Sequence, residues 1–255
     1  MTDPNPIDTS ALAEHYSHFR VSERLLLTGH SHQAWPDVAF EGQQRAWLDA
    51  AQHVDQKWSV AEAKAERYRG ALTALLDDQT GYVSLGHSTH ELVTRVLSAL
   101  PLATRPRLVT TDGEFHSIRR QLDRLAEEGV EVAKVAALPA STLAERLISE
   151  VDDRTAAVLV SCILFQNAHI VPGLGDVLEA CKKVGAELLL DAYHSTNVAP
   201  ISLPEEGLGG AFIVGGGYKY MQVGEGNCWL RFPRDCRLRP VLTGWFSEFG
   251  TLADQ

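Results

Sequence analysis

From Gly81 onward, the chain alternates between short apolar runs and stretches with helical periodicity. Seven apolar runs have the length of buried strands, at 82–85, 107–110, 130–135, 156–164, 187–190, 211–214 and 227–231. Helical patterns lie between several of them, at 90–100, 118–128, 142–151 and 175–184. Because parallel strands are joined by crossover helices, this alternation predicts an α/β fold, with a mainly parallel seven-stranded sheet flanked by helices on both faces.

The first 75 residues have a mostly helical pattern. We expect an N-terminal helical segment and arm over residues 1–75 and an α/β domain over residues 76–255. The interruption at 25–36 is expected to be a short apolar strand, beginning at Leu25, that runs into a polar turn with His30 and His32.

Polar clusters follow the predicted strands, where the ligands of open α/β sheets bind. They begin at Gly86, Thr111, Ser161, Asp191 and Tyr218. The second cluster includes Glu114, Phe115 and His116, and the third leads to Gln166 and Asn167. We expect these clusters to share one rim of the sheet.

Lys219 follows an apolar strand and three glycines, and it stands between two tyrosines. A lysine at the end of a buried strand is costly unless something neutralises it or bonds to it. A desolvated lysine loses its proton easily and becomes a nucleophile, as Schiff-base chemistry with an aldehyde cofactor requires. The alternative is a surface lysine in a glycine-rich turn.

Asp191 ends the apolar run that begins at Leu188, so its carboxylate needs a cationic partner. In a pyridoxal phosphate (PLP) site that partner is the protonated pyridine nitrogen. The alternative is a cap for a following helix. Asp191 and Lys219 are 28 residues apart, with one predicted strand between them. This spacing lets one approach the ring nitrogen while the other bonds the aldehyde carbon.

Ser88 and Thr89 begin a predicted helix, whose free amides and partial positive charge suit a phosphate group. An ordinary N-cap explains the same residues. Phe115 or His116 could lie flat over a cofactor ring, or could simply be an edge-strand aromatic.

Composition excludes several other classes of function. The 255 residues carry a formal charge of −10, which disfavours nucleic-acid and anionic-membrane partners. No membrane-spanning apolar run or secretory leader pattern is visible, so we expect a soluble, cytoplasmic protein with reduced cysteines. We expect no metal site, since the histidine pairs lack a third ligand at a plausible spacing. P-loop and serine-hydrolase motifs are missing, which argues against a nucleotide-binding α/β protein and a hydrolase of that class.

Four segments together resemble kynureninase and its relatives, in the class V aminotransferase-like group of PLP enzymes. They are the strand and turn from Val158 to Pro172, Asp191-x-x-His194, Tyr218-Lys219-Tyr220 and Gly244-Trp245-Phe246. The resemblance covers roughly residues 80–250 well and the first 75 loosely. It implies fold type I, in which the α/β unit is the large domain of an aspartate aminotransferase-like PLP enzyme.

The resemblance also implies roles for individual residues. Lys219 would form the Schiff base with PLP, and Asp191 would pair with the pyridine nitrogen. The phosphate would be held by Ser88, Thr89 and Tyr218. Further cofactor contacts are implied for Phe115, Ser161, His194 and Trp245, and Glu114 falls where the family has an aspartate.

Two departures from the family bear on function. Kynureninases have an asparagine-serine turn where this chain has Gly29 to His32, and the chain ends at Gln255, before the family's small C-terminal domain and its carboxylate-binding arginine. We therefore expect a homodimeric PLP-dependent hydrolase, lyase or aminotransferase that acts on a small amino-acid substrate. A kynureninase-like reaction would cleave Cβ–Cγ hydrolytically to give alanine and an aromatic acid. The alternative is a truncated, inactive protein with the same fold and a regulatory or interaction role.

Overall fold

The computed structural model describes residues 8–245, 247 and 250. Its seven strands form one sheet in the order β1-β7-β6-β5-β4-β2-β3. The strands are β1 (Gly81–Gly86), β2 (Arg107–Thr111), β3 (Glu131–Val135), β4 (Thr155–Ser161), β5 (Glu187–Asp191), β6 (Phe212–Gly215) and β7 (Cys228–Pro233). Strands β3, β2, β4, β5 and β6 are parallel, whereas β7 is antiparallel to both β6 and β1. The predicted mainly parallel seven-stranded sheet is confirmed.

Helices cover both faces of the sheet. They are α1 (Thr9–Ala13), α2 (Asp37–His53), α3 (Lys57–Leu75), α4 (Thr89–Ala99), α5 (His116–Glu127), α6 (Leu143–Glu150) and α7 (Leu174–Val184). Within the described ranges, none of these helices is long and apolar enough to cross a membrane.

The apolar core has two layers because side chains of a strand point alternately to opposite faces. In β4, Val158 and Val160 pack with residues of α6 and α7, while Ala157 and Leu159 pack with residues of α4 and α5. All seven residues of β4 are buried. This explains why the central strands read as nearly continuous apolar runs.

Two sequence predictions differ from the structure. Residues 25–27 form no strand, and Leu25 and Leu27 are 88% and 82% exposed, so the apolar run there is not paired. Strand β4 ends at Ser161, not at residue 164, because Ile163 pairs with Ile170 across a local turn. In both cases, apolar composition indicated a strand where hydrogen bonding does not continue one.

A buried ion pair stands at the amino end of β6. The Arg231 guanidinium, on β7, donates to both carboxylate oxygens of Asp78, at 2.7 and 3.1 Å. It also donates to Thr80 Oγ1 and to the carbonyls of Gly209 and Ala211. Arg231 is 0% exposed, so its charge is held entirely by protein groups. This pair ties the segment before β1 to the start of β6.

Candidate active site

The carboxyl ends of β4, β5 and β6 bring three polar segments together. Ser161, the last residue of β4, pairs with Asp191, the last residue of β5, and Asp191 pairs with Val214 of β6. Lys219 follows β6 after a short glycine-rich turn. The predicted common rim therefore forms from neighbouring strands.

Lys219 is buried at this rim, with 4% of its surface exposed. Its Nζ lies 4.7 Å from the centre of the Phe115 ring and 5.1 Å from that of Tyr193. Burial lowers the pKa of Lys219, although the Asp191 carboxylate acts in the opposite direction. The surface-turn alternative for this lysine is thus wrong, and its amine is placed to lose a proton readily.

His194 is the hydrogen-bond partner of Lys219. Nζ of Lys219 lies 2.7 Å from Nε2 of His194. Burial, and then the positive charges of Lys219 and His30, lower the pKa of His194 to about 4. The imidazole is therefore neutral at pH 7, so Nε2 can accept a proton from the ammonium or donate one to the free amine, according to its tautomer.

Asp191 is almost fully buried, and its Oδ1 accepts a hydrogen bond from the amide of Tyr193 at 2.9 Å. Burial raises the pKa of Asp191 to about 6, although the bond from Tyr193 and the charge of Lys219 favour the ionised form. The residues that follow form turns and no helix, so the helix-cap alternative is wrong. A carboxyl poised in this way would be ionised by a buried cation beside it.

A second buried carboxyl, that of Glu114, lies beside Ser161. Its oxygens accept hydrogen bonds from Ser161 Oγ at 2.7 Å, from Thr111 Oγ1 at 2.7 Å and from the Ser161 amide at 3.2 Å. Burial raises the pKa of Glu114 to about 7, against these bonds and with the help of the Asp191 charge. Because Ser161 donates its hydroxyl proton to Glu114, its oxygen remains free to accept.

A cavity of 230 Å³ opens beside Lys219. Its lining includes four residues predicted from the sequence together with Lys219: Ser88, Thr89, Phe115 and Tyr218. Ser88 is the N-cap of α4, where its Oγ accepts from the amide of Glu91 at 3.1 Å. The cap alternative is therefore correct in itself, yet Thr89 and His90, the first residues of the helix, line the cavity.

Phe115 is the N-cap residue of α5 and not an edge-strand aromatic. Its ring is nearly perpendicular to that of Phe165 (87°) and inclined by 64° to that of His194, with centroids 5.2 and 5.8 Å away. His116, the other stacking candidate, lies next to it with ring centroids 5.2 Å apart. The lysine amine therefore lies between the aromatic faces of Phe115 and Tyr193.

No protein-family model matches the chain. A curated protein of Bacillus subtilis (strain 168), the uncharacterized aminotransferase YcbU, is 21% identical over 204 residues, which is 79% of this chain and 54% of that protein. The chain thus spans about half the length of this relative.

Solved structures agree with the described fold over most of the chain. A lysine-to-alanine mutant of C-DES, with glycine covalently linked to its PLP cofactor, gives a TM-score of 0.76 at 16% identity and covers 91% of this chain and 62% of that one. The apo cysteine desulfurase of Thermococcus onnurineus NA1 gives 0.72 at 17% identity, with 96% and 62% covered. The chain has the aminotransferase-like fold.

Uracil phosphoribosyltransferase of Corynebacterium glutamicum (strain R) is also similar in sequence. It is 31% identical over 153 residues, which is 49% of this chain and 71% of that protein. This likeness extends over half of the chain, whereas the aminotransferase-like architecture extends over 91% of it. The fold assignment therefore rests on the structures.

Trp245, another predicted cofactor contact, does not line the lysine cavity. It is 80% exposed and lines a separate cavity of 690 Å³, which shares His87, Glu225 and Gly226 with the lysine cavity. Phe246, the last residue of the predicted Gly-Trp-Phe motif, lies outside the described residues. In this chain, Trp245 thus lines a cavity that adjoins the lysine cavity, and its contact with the cofactor stays a prediction.

Several residues at the site were not predicted from the sequence. Tyr193, Glu225 and Cys228 line the lysine cavity. Trp35 Nε1 and the Gln33 amide each donate to the Tyr218 carbonyl at 3.3 Å, so the N-terminal loop is tied to the lysine segment of the aminotransferase-like fold. For Tyr193 a signal existed, since it stands between Asp191 and His194; the loop contact spans more than 180 residues and no local pattern indicates it.

Proposed function

We propose that this chain is the cofactor-binding part of a PLP-dependent enzyme that acts on an amino acid. The observation that carries the proposal is Lys219: a buried amine in a cavity at the carboxyl edge of a parallel sheet, one strand from the buried carboxyl of Asp191. In open α/β sheets this edge is where ligands bind. Neither the lysine nor the aspartate has an ion-pair partner closer than 4 Å among the described residues.

The residues present fit PLP by the chemistry of its groups. An aldehyde needs an amine of lowered pKa, a pyridine nitrogen needs a carboxylate, and a phosphate needs amides and hydroxyls. Lys219, Asp191 and the start of α4 supply these in turn. Close packing leaves no room for a Cβ at Gly217, where it would lie 2.8 Å from the Gly224 carbonyl.

When bound, PLP would supply an electron sink for negative charge that develops at the substrate's Cα. Lys219 would hold the cofactor and, once displaced by substrate, would take the Cα proton with its free amine. Asp191 would keep the pyridine nitrogen protonated. Ser88, Thr89 and Tyr218 would bind the phosphate, with Phe115 against the ring and His194 next to the lysine amine.

The sequence motifs and the structural relatives favour different reactions after removal of the proton from Cα. The Asp191-x-x-His194 and Tyr218-Lys219-Tyr220 motifs resemble kynureninase and favour hydrolytic Cβ–Cγ cleavage. The structural relatives include proteins named cystine C–S lyase and cysteine desulfurase. Of the two, we propose the kynureninase-like outcome, because the lysine motif matches it residue by residue.

We also propose that the enzyme is a homodimer. Large apolar side chains of α2 and α3 face outward, including Trp47 at 78% and Trp58 at 58% exposed. Trp245 is similarly exposed beside the second cavity. A second subunit covering these surfaces would bury apolar area and could complete the phosphate site.

The test is reconstitution of the purified protein with PLP. We expect a yellow protein whose absorption band is lost on borohydride reduction, with the cofactor then attached covalently to the peptide containing Lys219. Lys219→Ala should abolish both the band and the attachment, whereas Lys182→Ala, at an exposed lysine, should change neither. Kynurenine, cystine, cysteine and other amino acids would then be compared as substrates by spectral change and product analysis. A wild-type protein that stays colourless would refute the proposal.

Two alternatives have their own outcomes. An inactive regulatory protein would take up PLP without turning over any amino acid. Phosphoribosyl transfer to uracil, named for the Corynebacterium relative, would appear as uracil-dependent product formation that survives Lys219→Ala and needs no PLP.

A further inference from the structure

Tyr193 lines the lysine cavity. In the sequence it stands between Asp191 and His194, the two polar residues at and after the end of β5. Its side chain is 7% exposed, and its amide is fixed by the bond to Asp191 Oδ1 at 2.9 Å. The ring lies directly on Gly216, where a Cβ would come within 2.2 Å of it. Gly216 therefore has a structural reason to be glycine: it provides the space in which the Tyr193 ring lies.

The Tyr193 hydroxyl is buried and has no well-formed hydrogen bond with any described residue. The Cys228 thiol and the Tyr218 main chain are close to it without satisfying it. Burial raises the pKa of Tyr193 far above its usual range, so the phenol keeps its proton and is a donor at neutral pH. A buried donor without an acceptor is costly, and native proteins rarely leave one.

The lining of this cavity contains other hydrogen-bond donors, and none of its described residues accepts a hydrogen bond from the Tyr193 hydroxyl. The amides of Thr89 and His90 start α4, an 11-residue helix whose dipole favours an anion at this end. Tyr218 and Lys219 also line the cavity. Among the described lining residues, Glu225 is the one with a carboxylate. An oxyanion in the cavity would thus meet an unpaired phenol, the first amides of α4 and a lysine.

We propose that Tyr193 is a further phosphate-binding residue, whose hydroxyl donates to an oxygen of the phosphate group held at the start of α4. This inference rests on the proposed PLP site and deepens it. The ligand class is a phosphate monoester on an aromatic ring. The phenol supplies a neutral donor to a cavity whose lining, among the described residues, includes no arginine.

The experiment uses pyridoxine 5′-phosphate and pyridoxine, which lack the aldehyde and cannot react with Lys219. Their dissociation constants are measured calorimetrically for wild type, Tyr193→Phe and Tyr82→Phe. The last variant makes the same chemical change at a half-exposed tyrosine on β1. Thermal unfolding of the ligand-free proteins shows whether each variant is folded.

We expect Tyr193→Phe to weaken binding of pyridoxine 5′-phosphate about tenfold or more, as for other hydrogen bonds to charged groups. Pyridoxine should bind unchanged, and the ligand-free variant should be at least as stable as wild type, since the lost hydroxyl had no partner. Tyr82→Phe should match wild type throughout.

Equal binding of the phosphate ester by wild type and Tyr193→Phe would overturn the inference and leave Tyr193 a packing residue. An equal loss for both ligands would also overturn it, because it would assign the hydroxyl to the ring and not to the phosphate. If wild type bound neither ligand, the proposed function would fail first, and this inference with it.

Discussion

Two groups of buried charges stand at opposite ends of the same strands and differ in how completely they are paired. At the amino end of β6, Arg231 donates five hydrogen bonds, two of them to Asp78. At the carboxyl end, Lys219 has a neutral imidazole as its close partner, and Asp191 has one backbone amide. Both groups are as buried as the apolar core.

The pKa shifts express the same difference. Although burial acts to raise it, the bonds and charge of Arg231 and the bonds from Thr80 lower the pKa of Asp78 below its usual value. Burial dominates at the other end and raises the pKa of Asp191 to about 6. The first group is arranged to be charged and to stay so, as a structural ion pair. In the second, the amine and the carboxyl each have one uncharged hydrogen-bond partner, as we propose for a binding site.

Removing one partner of the paired group should have the largest effect on stability. Asp78→Ala leaves the Arg231 guanidinium buried without its carboxylate, and we expect a loss of about 3–5 kcal/mol in the free energy of unfolding. Denaturant unfolding measures it. The double variant Asp78→Ala/Arg231→Met should recover part of the loss, because no unpaired charge remains. A loss from Asp78→Ala no larger than that from Arg124→Ala, at an exposed ion pair, would contradict the comparison.

The second prediction concerns how the free energy of unfolding changes with pH. The change has opposite signs for Glu114, at the carboxyl ends of the strands, and for Asp78, at the amino ends. The folded-state pKa of Glu114 is raised from 4.5 to about 7, so the folded protein holds this proton more firmly than the unfolded chain. Its contribution to stability is present below about pH 4.5 and is lost as the pH rises through 7. Relative to Glu114→Gln, wild type should lose up to about 1.4 kcal/mol per pH unit between pH 5 and 7.

Asp78 provides the contrast for that measurement. Its pKa is lowered, so its contribution is present above about 3.8 and is lost as the pH falls below that value. Urea unfolding from pH 3 to pH 8 on wild type, Glu114→Gln and Asp78→Asn separates the two. A stability difference between wild type and Glu114→Gln that does not change with pH would show that Glu114 is not perturbed.

The smallest expected effect is at Lys219. Replacing an incompletely paired buried amine by methionine should leave the free energy of unfolding of the ligand-free protein unchanged or raise it by about 1 kcal/mol, as when binding-site residues are traded for packing. Lys182→Met, at a half-exposed lysine paired with Glu179, is the matched control. A large loss of stability in Lys219→Met would make Lys219 a structural residue and weaken its assignment to a site.

The sheet could be predicted from the sequence because its information is local. Strand and helix periods differ, and the middle of β5 (188–190) and all of β6 lack polar side chains because both of their faces are covered. The prediction failed at residues 25–27. These residues are apolar, as a strand would be, but no strand in the described part of the chain pairs with them. Strand pairing joins distant segments, so a short run such as this one does not determine it.

The candidate site was likewise predictable from the sequence only in part. Asp191, Lys219 and the start of α4 were identifiable, since each follows a recognisable strand or begins a recognisable helix. The bond between Lys219 and His194, the unpaired Tyr193 hydroxyl and the link from Trp35 to Tyr218 depend on how the turns after β5 and β6 pack against each other. By itself, then, the sequence determined which residue types end each strand and hence which chemistry is available at the rim. Only the tertiary structure decided which charges are paired, because burial and hydrogen-bond distance, which set each pKa, arise when segments far apart in the chain come together.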